Sequence, residues 1–196
     1  MLPFILQAVS SLGHKVFTEG DYNLNIIGVR NKDPQPDAFD DMICCVFKED
    51  GQWITHSWPA TTDPGNYYLN NPISVDGTAI LVPGQYRGVY KIDMHRGEYP
   101  ALCQREGIVN VWRDRTKDSI LDYGENETEG YFGINIHRAT SHGASENVGR
   151  WSAGCQVFQS AKDFALFMEL CECQRALGHE TFTYTLIVPN KFLMVA

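Results

Sequence analysis

The chain has 196 residues, 43% of them hydrophobic and 20% charged, with a formal net charge of −8. That length supports one domain with a self-sufficient core, and the acidic balance, without a basic stripe, excludes general attraction to nucleic-acid backbones, which depends on cationic neutralisation. Seventeen glycines, nine prolines and 12% aromatics favour a strand-rich and turn-rich fold.

The opening "MLPFILQAVSSLGHKVF" holds a short apolar run with no basic residue before it and reaches His14 and Lys15 quickly. It fits neither a secretory leader nor a membrane span, so no integral membrane segment is expected. Residues 1–20 read as an N-terminal arm or first element and residues 21–196 as a single domain, because no repeat, linker or composition shift divides them. β-Branched and apolar segments follow at 23–30, 41–47, 51–58, 78–83, 88–94, 107–113 and 132–138, separated by turn residues. Asp50-Gly51 supplies the positive backbone angles of a tight hairpin between the second and third.

Six cysteines without a visible leader suggest free thiols, with disulfides left open by the even count. Alternation in "DMICCVF" sends Cys44 and Cys45 to opposite faces. Cys171 and Cys173 with His179 lack the spacing and the second pair of a zinc site, and Asp114, Asp118 and Asp122 form a turn lacking a calcium loop's glycine and closing glutamate. No metal or cofactor is expected. Late in the chain, Phe164, Phe167, Met168 and Cys171 fall at helical spacing behind a Ser160 cap with Asp163 three residues on. Gly178 can end that helix, and 182–188 reads as a closing strand. The fold class is therefore mainly β (α+β), with one substantial helix.

The residues with chemistry lie in "GINIHRATSHGASENVGRWSAGCQVF". Strand period sends Ile134 and Ile136 to the core and puts Asn135 and His137 on the other face. A small-residue loop then leads to Cys155, and 155 − 137 gives a separation of 18 positions. An imidazole beside the thiol can take its proton and hold the thiolate as an ion pair. Ala153 and Gly154 leave main-chain N–H groups free to face an oxyanion, and Ser152 can brace the turn. His142 is a second candidate base, carried by a loop, whereas His14, His56, His95 and His179 have no such company. Residues 84–100 gather Tyr86, Arg87, His95 and Arg96, which could line a groove with a carboxylate clamp. A solvated strand face accounts for them too and is the preferred reading.

His137 followed by Ser152-Ala153-Gly154-Cys155 resembles the signature of YkuD-type L,D-transpeptidases, a histidine and then S-x-G-C across a loop. "TTDPGNYYL" at 61–69 is similar to that family's T-P-x-G-x-Y/F stretch, with Asp63 inserted. The resemblance implies a β-sandwich catalytic domain acting on peptidoglycan stem peptides at an L-configured diamino acid that precedes a D-amino acid. Cys155 would be acylated, His137 would act as base and then acid, and amides around Gly154 and Cys155 would form the oxyanion hole. Arg138 stands where many members have glycine, Ala153 where S-H-G-C has histidine, and Val157 at the usual arginine position. Arg150, Arg138, Arg87 and Arg96 are the candidates to replace that arginine, with Tyr86 and Asn135 as further substrate contacts.

Papain-like peptidases place cysteine before histidine, and a caspase-like order expects a longer gap. The alternative from another class is a noncatalytic wall-binding or structural module on the same scaffold. Because the implied substrate lies at the cell wall or periplasm and no leader is visible, a phage lysis protein or a delivered effector is the expected context.

Overall fold

A computed structural model describes residues 1–189. Helix α1 (Phe4–Ser11) precedes β1 (Asn25–Val29), β2 (Asp41–Glu49) and β3 (Gln52–Thr61). A short α2 (Asn66–Asn70) leads to β4 (Thr78–Leu81), β5 (Gly84–His95), β6 (Tyr99–Gln104), β7 (Val109–Asp114) and β8 (Thr128–Gly130). The chain closes with β9 (Ile136–Arg138), β10 (Gln156–Phe158), α3 (Ala161–Ala176) and β11 (Phe182–Ile187). The fold is mainly β with one substantial helix, α3, which follows the cysteine turn after the short strand β10.

Local rules act as expected in several elements. Asp50 and Gly51 take φ of 49° and 73° at the β2–β3 hairpin. Cys45 is buried in the main core, whereas Cys44 packs on the opposite face with Leu6 and Val9 of α1. The N-terminal arm is thus a helix docked on β1 and β2. In α3, Ser160 Oγ accepts from Asp163 N–H at 3.3 Å, and Phe164, Phe167 and Cys171 face the core. Cys173, two residues on, is exposed, so it and Cys171 do not converge. Asp114 departs from the expected exposed turn: its buried carboxylate accepts from Thr116 N–H and Asp122 N–H and organises the loop that follows.

A sandwich is the form the resemblance implies, but the main sheet closes on itself in the order β1-β11-β5-β6-β9-β10-β3-β2. Closure occurs because β1 pairs antiparallel with β2 on one edge and parallel with β11 on the other. A separate sheet, β4-β7-β8, lies against the cysteine turn. Inside, Trp58, Phe158 and Phe167 pack with ring centroids 4.9–6.1 Å apart and seat α3 on the barrel. No described helix is long and apolar enough to cross a membrane.

Candidate active site

β9 and β10 run parallel, with Gln156 opposite Ile136 and Val157 opposite His137. Paired residues on parallel strands face the same way, so Cys155, one step before β10, shares a face with Asn135 and His137. Ile134 and Ile136 enter the core as the alternation requires. The imidazole is not presented to solvent, however. His137 is only 2% exposed, because the β5–β6 hairpin folds over it and lays the His95 ring on its face at 4.1 Å and 25°.

The turn before the sulfur is held by one hydroxyl. Ser152 Oγ accepts from Gly154 N–H at 3.1 Å and donates to Cys155 O at 2.8 Å. Gly154 has φ +118°, and a Cβ there would lie 2.4 Å from Ala79 O on β4. Gly154→Ala is therefore expected to cost at least about 2 kcal/mol, read as a lower urea midpoint with unchanged slope. The same hydroxyl consumes the Gly154 N–H, so of the two amides expected at an oxyanion hole, only the Cys155 N–H is without a partner among the described residues.

Cys155 is half-buried and free, and it lines a cavity of about 540 Å³ with Asn135, His95, Arg96, Arg113 and Phe132. Its thiol donates to Gly133 O at 3.4 Å, and Sγ accepts from Asn135 N–H at 3.5 Å. His137 Nδ1–H donates to Arg138 O at 2.8 Å, which makes Nε2 the unprotonated nitrogen. That Nε2 is buried and accepts no hydrogen bond among the described residues, including from Cys155.

Burial pushes the Cys155 thiol up, against opposing pulls from the Asn135 N–H and Arg96. Burial first, and the neighbouring His95 second, push His137 down to about 3. The resting pair is thus a thiol and a neutral imidazole, not the ion pair expected from sequence. Alkylation of Cys155 by a small reagent is accordingly expected to be still rising at pH 9.0, the ordinary thiol value, where a preformed ion pair would plateau in acid. Rates measured across pH, with Cys155→Ala as blank, check this.

The remaining sequence candidates divide. Asn135 is central: Oδ1 accepts from Gln104 N–H at 2.9 Å and Nδ2 meets His95 Nδ1 at 3.1 Å. Arg138 covers the Tyr99 ring at 4.1 Å in a recess beside His137. Arg150 is stacked on Tyr67 at 3.7 Å and lines neither the thiol cavity nor that recess. Tyr86 donates to Val82 O at 2.6 Å, and with Arg87 it lines a different recess. His142 is exposed in its loop.

Two residues, His95 and Gln104, acquire roles that sequence did not favour, and Arg96, already a candidate for the missing arginine, is placed at the site. His95 is 5% exposed rather than solvated, and Arg96 lines both the thiol cavity and the His137 recess from the hairpin tip. Buried Gln104 accepts from Phe132 N–H and Ile134 N–H and donates to Gly130 O, shaping the run that carries Gly133 and Asn135. The β5–β6 loop is three residues long, 96–98, and Arg96 takes a left-handed φ of 53° in it ahead of Gly97.

The segment 61–69 abuts the cysteine turn. Gly65 N–H donates to Ser152 O at 3.0 Å, and a Cβ on Gly65 would meet Gly149 O at 2.2 Å, so only glycine permits the approach. Gln156 Nε2 donates to Thr62 O at 3.4 Å. Beneath them, buried Arg30 lies 3.1 Å from Asp63 and donates to Thr62 Oγ1 and O, while Asp41 accepts from Thr62 N–H and O–H. Among the described residues, no three His, Cys, Asp or Glu side chains converge as metal ligands would. No family model matches the chain, and neither curated proteins nor solved structures give a significant match.

Proposed function

We propose that this chain is a cysteine acyltransferase or peptidase of the YkuD L,D-transpeptidase type, acting on peptidoglycan stem peptides. One observation carries the reading: a thiol opening into a cavity shares a sheet face with a histidine whose unprotonated Nε2 is buried and has no partner among the described residues. The abutment of 61–69 on the cysteine turn supports the family-like form of the domain, since both stretches that carry the resemblance meet at one place.

In the proposed reaction the sulfur leaves Gly133 O and turns toward His137. Sγ attacks the carbonyl of the diamino acid; the S–C bond forms, the carbonyl π pair moves onto oxygen, and the thiol proton passes to Nε2. Because burial penalises each charge separately, the proton moves with the attack rather than before it. The C–N bond then breaks, and the imidazolium protonates the departing D-alanine amine. Water or an acceptor amine next attacks the thioester and gives its proton to His137, and the sulfur leaves and recovers that proton. Water gives carboxypeptidase or endopeptidase trimming, an amine gives a cross-link, and the site of action is the wall or periplasm, reached as a phage or delivered protein.

Mass spectrometry of purified muropeptides incubated with the protein tests this directly. Loss of D-alanine or new cross-links, absent with Cys155→Ala, is the expected result. A second reading, a noncatalytic wall-binding module, draws on the thiol bonded to Gly133 O and the consumed Gly154 N–H. Muropeptides bound but chemically unchanged would favour it and defeat the enzyme.

A further inference from the structure

Both nitrogens of His95 can be assigned from the main chain outward. Gln104 N–H orients Asn135 Oδ1, so Asn135 Nδ2 donates to His95 Nδ1, and the ring proton resides on Nε2. His95 Nε2 has no partner among the described residues, yet it is not sealed from solvent as His137 Nε2 is. The ring lines the thiol cavity on one side and the His137 recess on the other. An attacked carbonyl needs more than one donor, and the Gly154 N–H is already held by Ser152.

We propose that His95 is a catalytic residue whose neutral Nε2–H donates a hydrogen bond to the carbonyl oxygen as Cys155 attacks. The proposal rests on the acyl-transfer reading of Cys155. Burial, then Arg96, hold His95 at about 4, so the ring meets substrate uncharged at neutral pH. Neutrality suits its place: with ring centroids 4.1 Å apart, a second cation beside His137 would oppose the charge that His137 must take. The charged groups acting on His95 are Arg96, Glu98 and Arg105, and the aromatic neighbours are His137 and Tyr99.

Two reactions of the full chain separate this role from a structural one. Acylation by p-nitrophenyl acetate develops an oxyanion; alkylation by iodoacetamide forms an S–C bond with loss of iodide and develops none. His95→Phe keeps a ring on His137 and deletes the donor, whereas His95→Gln restores an N–H. The expected result is a roughly 100- to 1000-fold loss of acylation in His95→Phe, alkylation within about twofold of wild type, and partial rescue of acylation in His95→Gln. His95→Met makes the same comparison should the phenylalanine variant not fold. Unchanged acylation overturns the proposal, as does a parallel fall in both reactions, which would mean that His95 acts only through His137 or the fold. Muropeptide turnover by wild type is scored alongside: ester acylation that needs His95 without muropeptide change removes the wall substrate and leaves the donor role, whereas a wild-type Cys155 that no ester acylates removes both.

Discussion

Cys155→Ala is expected to abolish the proposed acyl transfer, and His137→Gln to lower its kcat/KM by roughly 100- to 10,000-fold, the range general-base catalysis supplies. Glutamine fills much of the imidazole's volume and can still donate near Arg138 O, but it presents no basic nitrogen at the Nε2 position. Because His137 is 2% exposed, an unfolding midpoint measured beside the rate separates lost chemistry from lost packing. His137→Gln with wild-type acylation and a normal midpoint would show that the buried Nε2 takes no proton. The resting protonation state sharpens the expectation. With the thiol raised and His137 near 3, the rate of the proposed reaction is expected to show no acid limb from His137 between pH 5 and 8, since that ring is already unprotonated throughout.

Arg30→Met is expected to cost about 3–5 kcal/mol, the usual consequence of removing one member of a buried ion pair. Arg30 lies beside Asp63, with Thr62 between it and Asp41, and Tyr123 O–H donates to Asp63 at 2.8 Å. Burial, and secondarily Asp63, already push Asp41 up to about 6. Burial raises Asp63 as well, and Arg30 is the main group lowering it. A carboxyl whose folded pKa lies above its unfolded value contributes stability at low pH and loses it as pH rises through the folded pKa. Removing the cation raises Asp63 further, so the variant's deficit is larger at pH 8 than at pH 4.5. Urea titrations at both values check the sign. A deficit independent of pH would mean that Arg30 contributes packing alone. Thr62 also accepts from Gln156, the residue after Cys155, so this variant is expected to loosen the cysteine turn before global unfolding.

Elements with short-range physical causes were legible. The Ser160 cap, the Asp50-Gly51 hairpin, the two faces of Cys44 and Cys45 and the inward isoleucines beside His137 each depend on residues within a few positions. The strands missed are those with little periodicity to read. β6 carries Pro100, and β8 and β10 are three residues each. Their strand character comes from neighbours that pair with them rather than from their own composition.

Sequence by itself determined the residue types, the strand that carries His137 and the tight turn that carries Cys155, because alternation, capping and glycine backbone freedom are properties of adjacent residues. Tertiary structure alone decided that the sheet closes into a barrel, that His95 lies on His137, that Ser152 consumes the Gly154 N–H, and that the thiol and imidazole rest uncharged. Hydrogen-bond partners across folded-back loops, and the burial that sets a charge, exist only once distant segments pack together.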